Sequence, residues 1–167
     1  MSNRHLARTM AMQALYEWDF RHREGDSLSV EDIVQFVLTE FAPGFDDGGY
    51  VLHQVQGVIG HLQILDDLLN RFAPNWSIDT MTLIDRNVLR LGVYELQFDP
   101  SIPSIVAINE AIELGKAFGG DASGKFVNGL LGAVYKDRLE GGVTKQIDID
   151  MANKKATEAE LKPPLKP

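Results

Sequence analysis

The sequence predicts an all-α fold, a helical bundle of about six to seven helices in two small subdomains. Three observations carry that expectation. Apolar residues recur every three to four positions over long runs, the period of a helix with one buried face. Proline, glycine and capping residues punctuate those runs where helices start and stop. No short stretch alternates strictly between apolar and polar side chains, so strands are not expected.

The first helix is expected from about Arg4 to Phe20. Ala7, Met10, Ala11, Ala14, Leu15 and Trp18 share one arc, while His5, Thr9, Met12, Gln13 and Tyr16 lie opposite, with Arg4 and Arg8 at the edge. Arg23 to Asp26 is a polar break. Ser29 with Asp32 approximates a capping box before a second helix through Val30, Ile33, Val34, Val37, Leu38 and Phe41, ended by Pro43 and Gly44. From Tyr50 to Phe72 the spacing of Val51, Val55, Val58, Ile59, Leu62, Leu65, Leu69 and Phe72 predicts one long third helix, stopped by Pro74. In the fourth, Leu83, Ile84, Val88, Leu89, Leu91, Val93 and Leu96 are too apolar for a surface helix, which places it at the centre.

Asp99 and Pro100 break the chain, and Pro103 opens a fifth helix that buries Ile105, Ile108, Ala111, Ile112, Gly115 and Phe118. Gly119 and Gly120 close it. Ser123 is expected to cap a sixth helix containing Phe126, Val127, Leu130, Leu131 and Val134. Residues 1–140 form one domain, with subdomains of about 1–74 and 75–140. The stretch 141–167 is polar and Lys-rich, has no aromatic residue and ends with Pro163, Pro164 and Pro167, so it reads as a flexible, disordered tail.

With 167 residues, 44% of them hydrophobic, the chain needs no covalent staple, and the absence of cysteine excludes disulfides and thiolate metal sites. It is compatible with a reducing, cytoplasmic setting. The first residues lack the unbroken apolar core of a secretory signal, and no run is apolar enough to span a membrane. A net charge of −8 argues against nucleic acid at long range, but the charge is unevenly distributed. Residues 1–23 and 116–145 are each net +2, residues 24–115 are net −12, and residues 146–167 balance. Two basic stretches that meet in space would make a phosphate site, and the acidic middle would attract a basic protein. Ordinary solvated helix faces are the alternative reading of the same pattern.

Catalytic signals are weak. His5, His22, His53 and His61 include no pair at the i, i+4 spacing of metal ligands on one helix face. Glu110 and Glu113 share a helix face without a nearby histidine, and read as exposed or capping carboxylates. Gly119 to Lys125 opens like a phosphate-binding loop, but Phe126 replaces the hydroxyl that would hold magnesium, and a helix precedes it. A non-enzymatic protein without cofactor or metal is therefore expected.

Three segments together resemble the NusB family of transcription antitermination factors. They are Ala7-Arg8 with Gln13-Ala14-Leu15-Tyr16-Glu17-Trp18, then Leu89-Arg90-Leu91 with Tyr94-Glu95-Leu96, then Ile102-Pro103 through Val106 to Leu114, Lys116, Phe118-Gly119 and Lys125 to Gly129. The resemblance spans residues 4–132 and implies an all-helical fold of two subdomains. It further implies binding of boxA-type single-stranded RNA in ribosomal RNA leader transcripts, a heterodimer with the ribosomal protein NusE, and action on the transcription elongation complex. Arg4, His5, Arg8, Arg90, Lys116, Lys125 and Phe126 are the implied RNA-binding residues. Single-stranded RNA calls for cations and for a ring on which a base stacks, and Phe126 is either that ring or core. Tyr16, Asp85 and Glu95 are the implied partner-binding residues, although Asp85 also fits a plain solvated helix face.

The family's dense arginine run before the first helix is reduced here to Arg4 and Arg8, which predicts weak RNA binding by the chain alone. An interaction module that binds NusE or itself, with little direct RNA contact, is the competing reading. A homodimer is compatible with either. A domain preceding a ribosomal RNA methyltransferase is a third reading, for which no catalytic segment is evident in the sequence.

Overall fold

The computed structural model describes residues 3–161. These fold into eight α-helices, with no strand among the described residues. In chain order they are α1 (Asn3–Arg23), α2 (Val30–Phe41), α3 (Tyr50–Gly60), α4 (Leu62–Phe72), α5 (Leu83–Phe98), α6 (Ser104–Gly119), α7 (Asp121–Glu140) and α8 (Gln146–Glu160). None is long and apolar enough to cross a membrane.

Helix α5 is the axis of the molecule. It packs against α1, α3, α4, α6 and α7, and every residue from Arg86 to Leu96 is buried, as its apolar composition predicts. Thr82 caps it by accepting a hydrogen bond from the Asp85 amide at 3.1 Å, and Ser29 caps α2 in the same way through Asp32. Helix α1 crosses α2, α3, α5 and α6, and one apolar core runs through both halves of the chain from Ala7 to Val134.

The expected long third helix is two helices. His61 leaves helical geometry (φ −112°, ψ 14°), and its ring packs against Tyr94 and Phe98 with centroids 5.6 and 4.4 Å away. Its Nδ1 also lies 2.7 Å from the Gly57 carbonyl oxygen. Gly57 is the reason the two walls fit, because a Cβ there would overlap the Tyr94 ring. The α6–α7 corner turns on Gly120, whose φ of 86° suits glycine, and α7 starts at Asp121. Ser123 therefore lies inside the first turn of α7 and is not its cap.

The segment after residue 140 differs most from expectation, because it forms α8 where a disordered tail was anticipated. Lys145, 8% exposed, donates hydrogen bonds to the carbonyl oxygens of Glu95 at 2.6 Å and of Asp99 and Ile102 at 2.7 Å. These carbonyls belong to the end of α5 and the following turn, where helix geometry leaves acceptors without amide partners. Helix α6 begins after Pro103, which has no capping side chain, and Asp148 supplies the missing acceptor to both the amide and the hydroxyl of Ser104. Residues 162–167, including the three closing prolines, lie outside the described residues.

Candidate nucleic-acid interface

Two of the expected RNA-binding arginines lie inside the protein. Arg8 is 4% exposed, and its Nε donates to both carboxylate oxygens of Glu95 at 3.0 Å. The Tyr50 hydroxyl donates to the same carboxylate at 2.9 Å. Burial opposes the Arg8 charge, but the nearby Glu95, Tyr50 and Glu110 outweigh it and hold its pKa above the ordinary value. Burial pushes the Glu95 carboxyl up, with Arg8 and Tyr50 pulling the other way. Burial and the adjacent Glu95 likewise raise the Tyr50 hydroxyl. Glu95, read from the sequence as a partner contact, is thus the internal counter-ion of Arg8.

Arg90 is corrected in the same sense. It is buried, donating to the two Asp66 oxygens at 2.8 Å and to Asp19 at 3.1 Å. Asp19 also receives Arg86 and the Asn87 amide. Burial alone would raise the Asp19 carboxyl, but the bonds from Arg86 and Asn87 and the charges of Arg90 and Arg86 hold it below the usual carboxylate range. The family-like Leu89-Arg90-Leu91 segment therefore joins the C-terminal half of α1 to α4 and α5.

The remaining cations fall in two groups beside α6. At the start of α1, exposed Arg4 lies over the Tyr50 ring, 4.0 Å from its centroid, and His5 Nδ1 is 2.7 Å from Glu110. Arg4, Arg8, Tyr50, Pro103 and Glu110 line a common cleft. At the α6–α7 corner, the stem of Lys116 lies along Gly124, where a Cβ would collide with it, so Lys116 and exposed Lys125 are neighbours. Half-buried Phe126 packs on the core and borders a cavity with Lys125 and Trp76. Glu110 and Lys116 are six residues apart on α6, about 9 Å along the helix axis and about 120° around it, so the two groups occupy different faces of α6.

A separate apolar groove lies between α1, α2, α5 and α6. Tyr16, Phe36, Phe41, Ile84 and Phe118 line it, and Phe36 and Phe41 are 47% and 58% exposed. Asp85 follows Ile84 at its edge, close to Gly119, with a buried Oδ1 that has no hydrogen-bond partner among the described residues. Gln13 Oε1 at the same groove is also buried without a donor. Tyr16 and Asp85 thus share one face, whereas Glu95 sits toward the opposite end of α5. Sequence reading missed Phe36, Trp76, Tyr50 and Glu110 as site residues. The legible signal for Phe36 was a ring off the buried arc of Ile33, Val34 and Val37; for Trp76 it was a large ring in a polar loop.

Comparison with known proteins agrees with this architecture. The model of the NusB family matches residues 5–136. A transcription antitermination protein NusB of Dehalococcoides mccartyi is 36% identical over 135 residues, covering 81% of this chain and 91% of that protein. A structure of T. maritima NusB superposes with a TM-score of 0.70 at 36% identity, covering 80% of this chain and 90% of the other. A crystal structure of antitermination factors NusB and NusE in complex with dsRNA gives 0.72 at 31% identity, covering 82% and 98%. On sequence and architecture alike, the chain belongs to the NusB family.

Proposed function

We propose that this chain is an RNA-binding transcription antitermination factor that recognises boxA-type RNA of ribosomal RNA leader transcripts together with NusE, and that the pair acts on the transcription elongation complex. The observation that carries the reading is the family match over residues 5–136, from α1 into α7, beside the similarity to a NusB crystallised with NusE and dsRNA. Arg4, His5, Lys116, Lys125 and Phe126 are the residues assigned to RNA. Arg8 and Arg90 act by holding the helices that present them. The Tyr16, Phe36 and Phe41 groove, with Asp85 at its rim, is assigned to NusE: its apolar floor offers area to bury, and the acid favours a basic partner. The role requires no catalysis.

Two features favour only weak RNA binding by the isolated chain: a net charge of −8 and the internal pairing of Arg8 and Arg90. Titration of labelled boxA-type RNA with this chain, with and without NusE, tests the reading. The pair is expected to bind with a clear gain over either protein alone. NusE binding without any gain in RNA affinity would replace the reading with that of a protein-interaction module. Sedimentation of the chain alone distinguishes NusE from a second copy as the occupant of the groove.

A further inference from the structure

We propose that Trp76, Phe126 and Gly129 form a seat for a single unstacked RNA base, with Lys125 at its rim to hold the adjoining phosphate. The inference rests on the RNA reading above and adds to it a binding element, Trp76 and the cavity beneath it, contributed by the α4–α5 loop.

The cavity has a volume of about 400 Å³ and is bounded by Phe72, Pro74 and Trp76 on one side and by Lys125, Phe126 and Gly129 on the other. Positions 125, 126 and 129 share one face of α7 at helical spacing, and that face looks onto the loop. Trp76 is 63% exposed, the most exposed Phe, Tyr or Trp among the described residues, and no other ring stacks on it. Burying that ring is favourable, yet the fold leaves it open. Its loop is nevertheless well ordered: the Trp76 amide donates to Ala73, the Ile78 amide to the Asn70 side chain, and Met81 to Ser77. The ring is therefore presented on a braced platform.

Gly129 supplies the second argument. Glycine inside a helix is unfavourable, and a Cβ at this position would meet nothing within 4 Å. No packing contact requires the missing side chain, and Gly129 is the glycine of α7 that lines this cavity, where a larger side chain would take up its space. The charge is also suited to RNA, because Lys125 is exposed and makes no ion pair among the described residues. A planar, sequence-tolerant π-face beside an unpaired cation is how single-stranded nucleic acid is held.

The test measures binding of a boxA-type single-stranded oligoribonucleotide to the complex of this chain with NusE. Trp76→Ala is expected to weaken binding by roughly tenfold, the scale of one lost base stack, while Trp76→Phe keeps most of the affinity. Gly129→Leu is expected to weaken binding comparably by filling the seat while leaving the thermal midpoint unchanged or higher, which a merely structural role would not produce. Binding is also expected to quench tryptophan emission, and Trp76→Phe to remove most of that quenching. If Trp76→Ala and Gly129→Leu both bind RNA like the parent while Lys125→Ala is impaired, the base seat is overturned and the RNA reading stands. If Trp76→Ala loses NusE affinity and spares RNA, the cavity is a protein site and the proposal is overturned. If even the parent complex gains no RNA, both fall together.

Discussion

Asp19 shows what the buried charges contribute. One carboxylate faces Arg86, Arg90 and Asn87 in a setting nearly closed to solvent, so its removal strands the Arg86 guanidinium and leaves Arg90 with Asp66 as its remaining counter-ion. Asp19→Asn is expected to cost about 3–5 kcal/mol, read from the urea midpoint of unfolding. Acidity should act on the same site. Its native pKa lies below the unfolded value of 3.8, so the unfolded state binds the proton first as pH falls. The stabilisation is full above that value and lost as pH drops through the native pKa. Stability of the parent below about pH 4 should therefore fall more steeply than that of Asp19→Asn.

Among the helices, α8 carries the least predictable interaction. Its hydrogen bonds to the rest of the protein come from Lys145 and Asp148, and they close on partners more than forty residues away in sequence. Lys145→Met should leave three carbonyls without a donor and lower stability by roughly 2 kcal/mol, and Asp148→Ala should cost about 1 kcal/mol as a lost cap. Chemical denaturation of the single and double variants measures both. These distances explain why the tail was misread, since neither composition nor period registers a lysine that will meet the end of a remote helix. The same holds at His61: the apolar spacing continues unbroken from Val51 to Phe72, and the break depends on the Tyr94 and Phe98 rings. By contrast α2 was legible from its local cap and apolar face, and α5 from its apolar composition alone. Arg8 was visible as a cation on an arc edge, but its partner Glu95 lies 87 residues away, so burial was not. The glycine corner before α7 was legible locally, whereas the assignment of Lys125 and Phe126 to RNA came from the family resemblance; Trp76 acquires meaning only when α7 is placed opposite its loop.

For the whole molecule, electrostatics decides how the proposed RNA ligand would be held. The overall field is repulsive, so attraction must come from a few exposed cations acting at short range. With Arg4, Lys116 and Lys125 engaged, this chain should contribute about −2 to the slope of the logarithm of affinity against the logarithm of salt, on the single-strand scale of about −0.7 per neutralised phosphate, with NusE adding its own share. Lys125→Ala should flatten that slope by about 0.7, and anisotropy titrations of the NusE complex across a potassium chloride series measure it.

The anchoring of α8 through its beginning has a practical corollary. From Ala156 to Glu160 the helix is exposed to solvent. The chain has no native thiol, so a cysteine introduced at Glu158 would be unique and chemically addressable. A dye or surface tether attached there would hold the molecule as if by a handle, with the packed interior untouched.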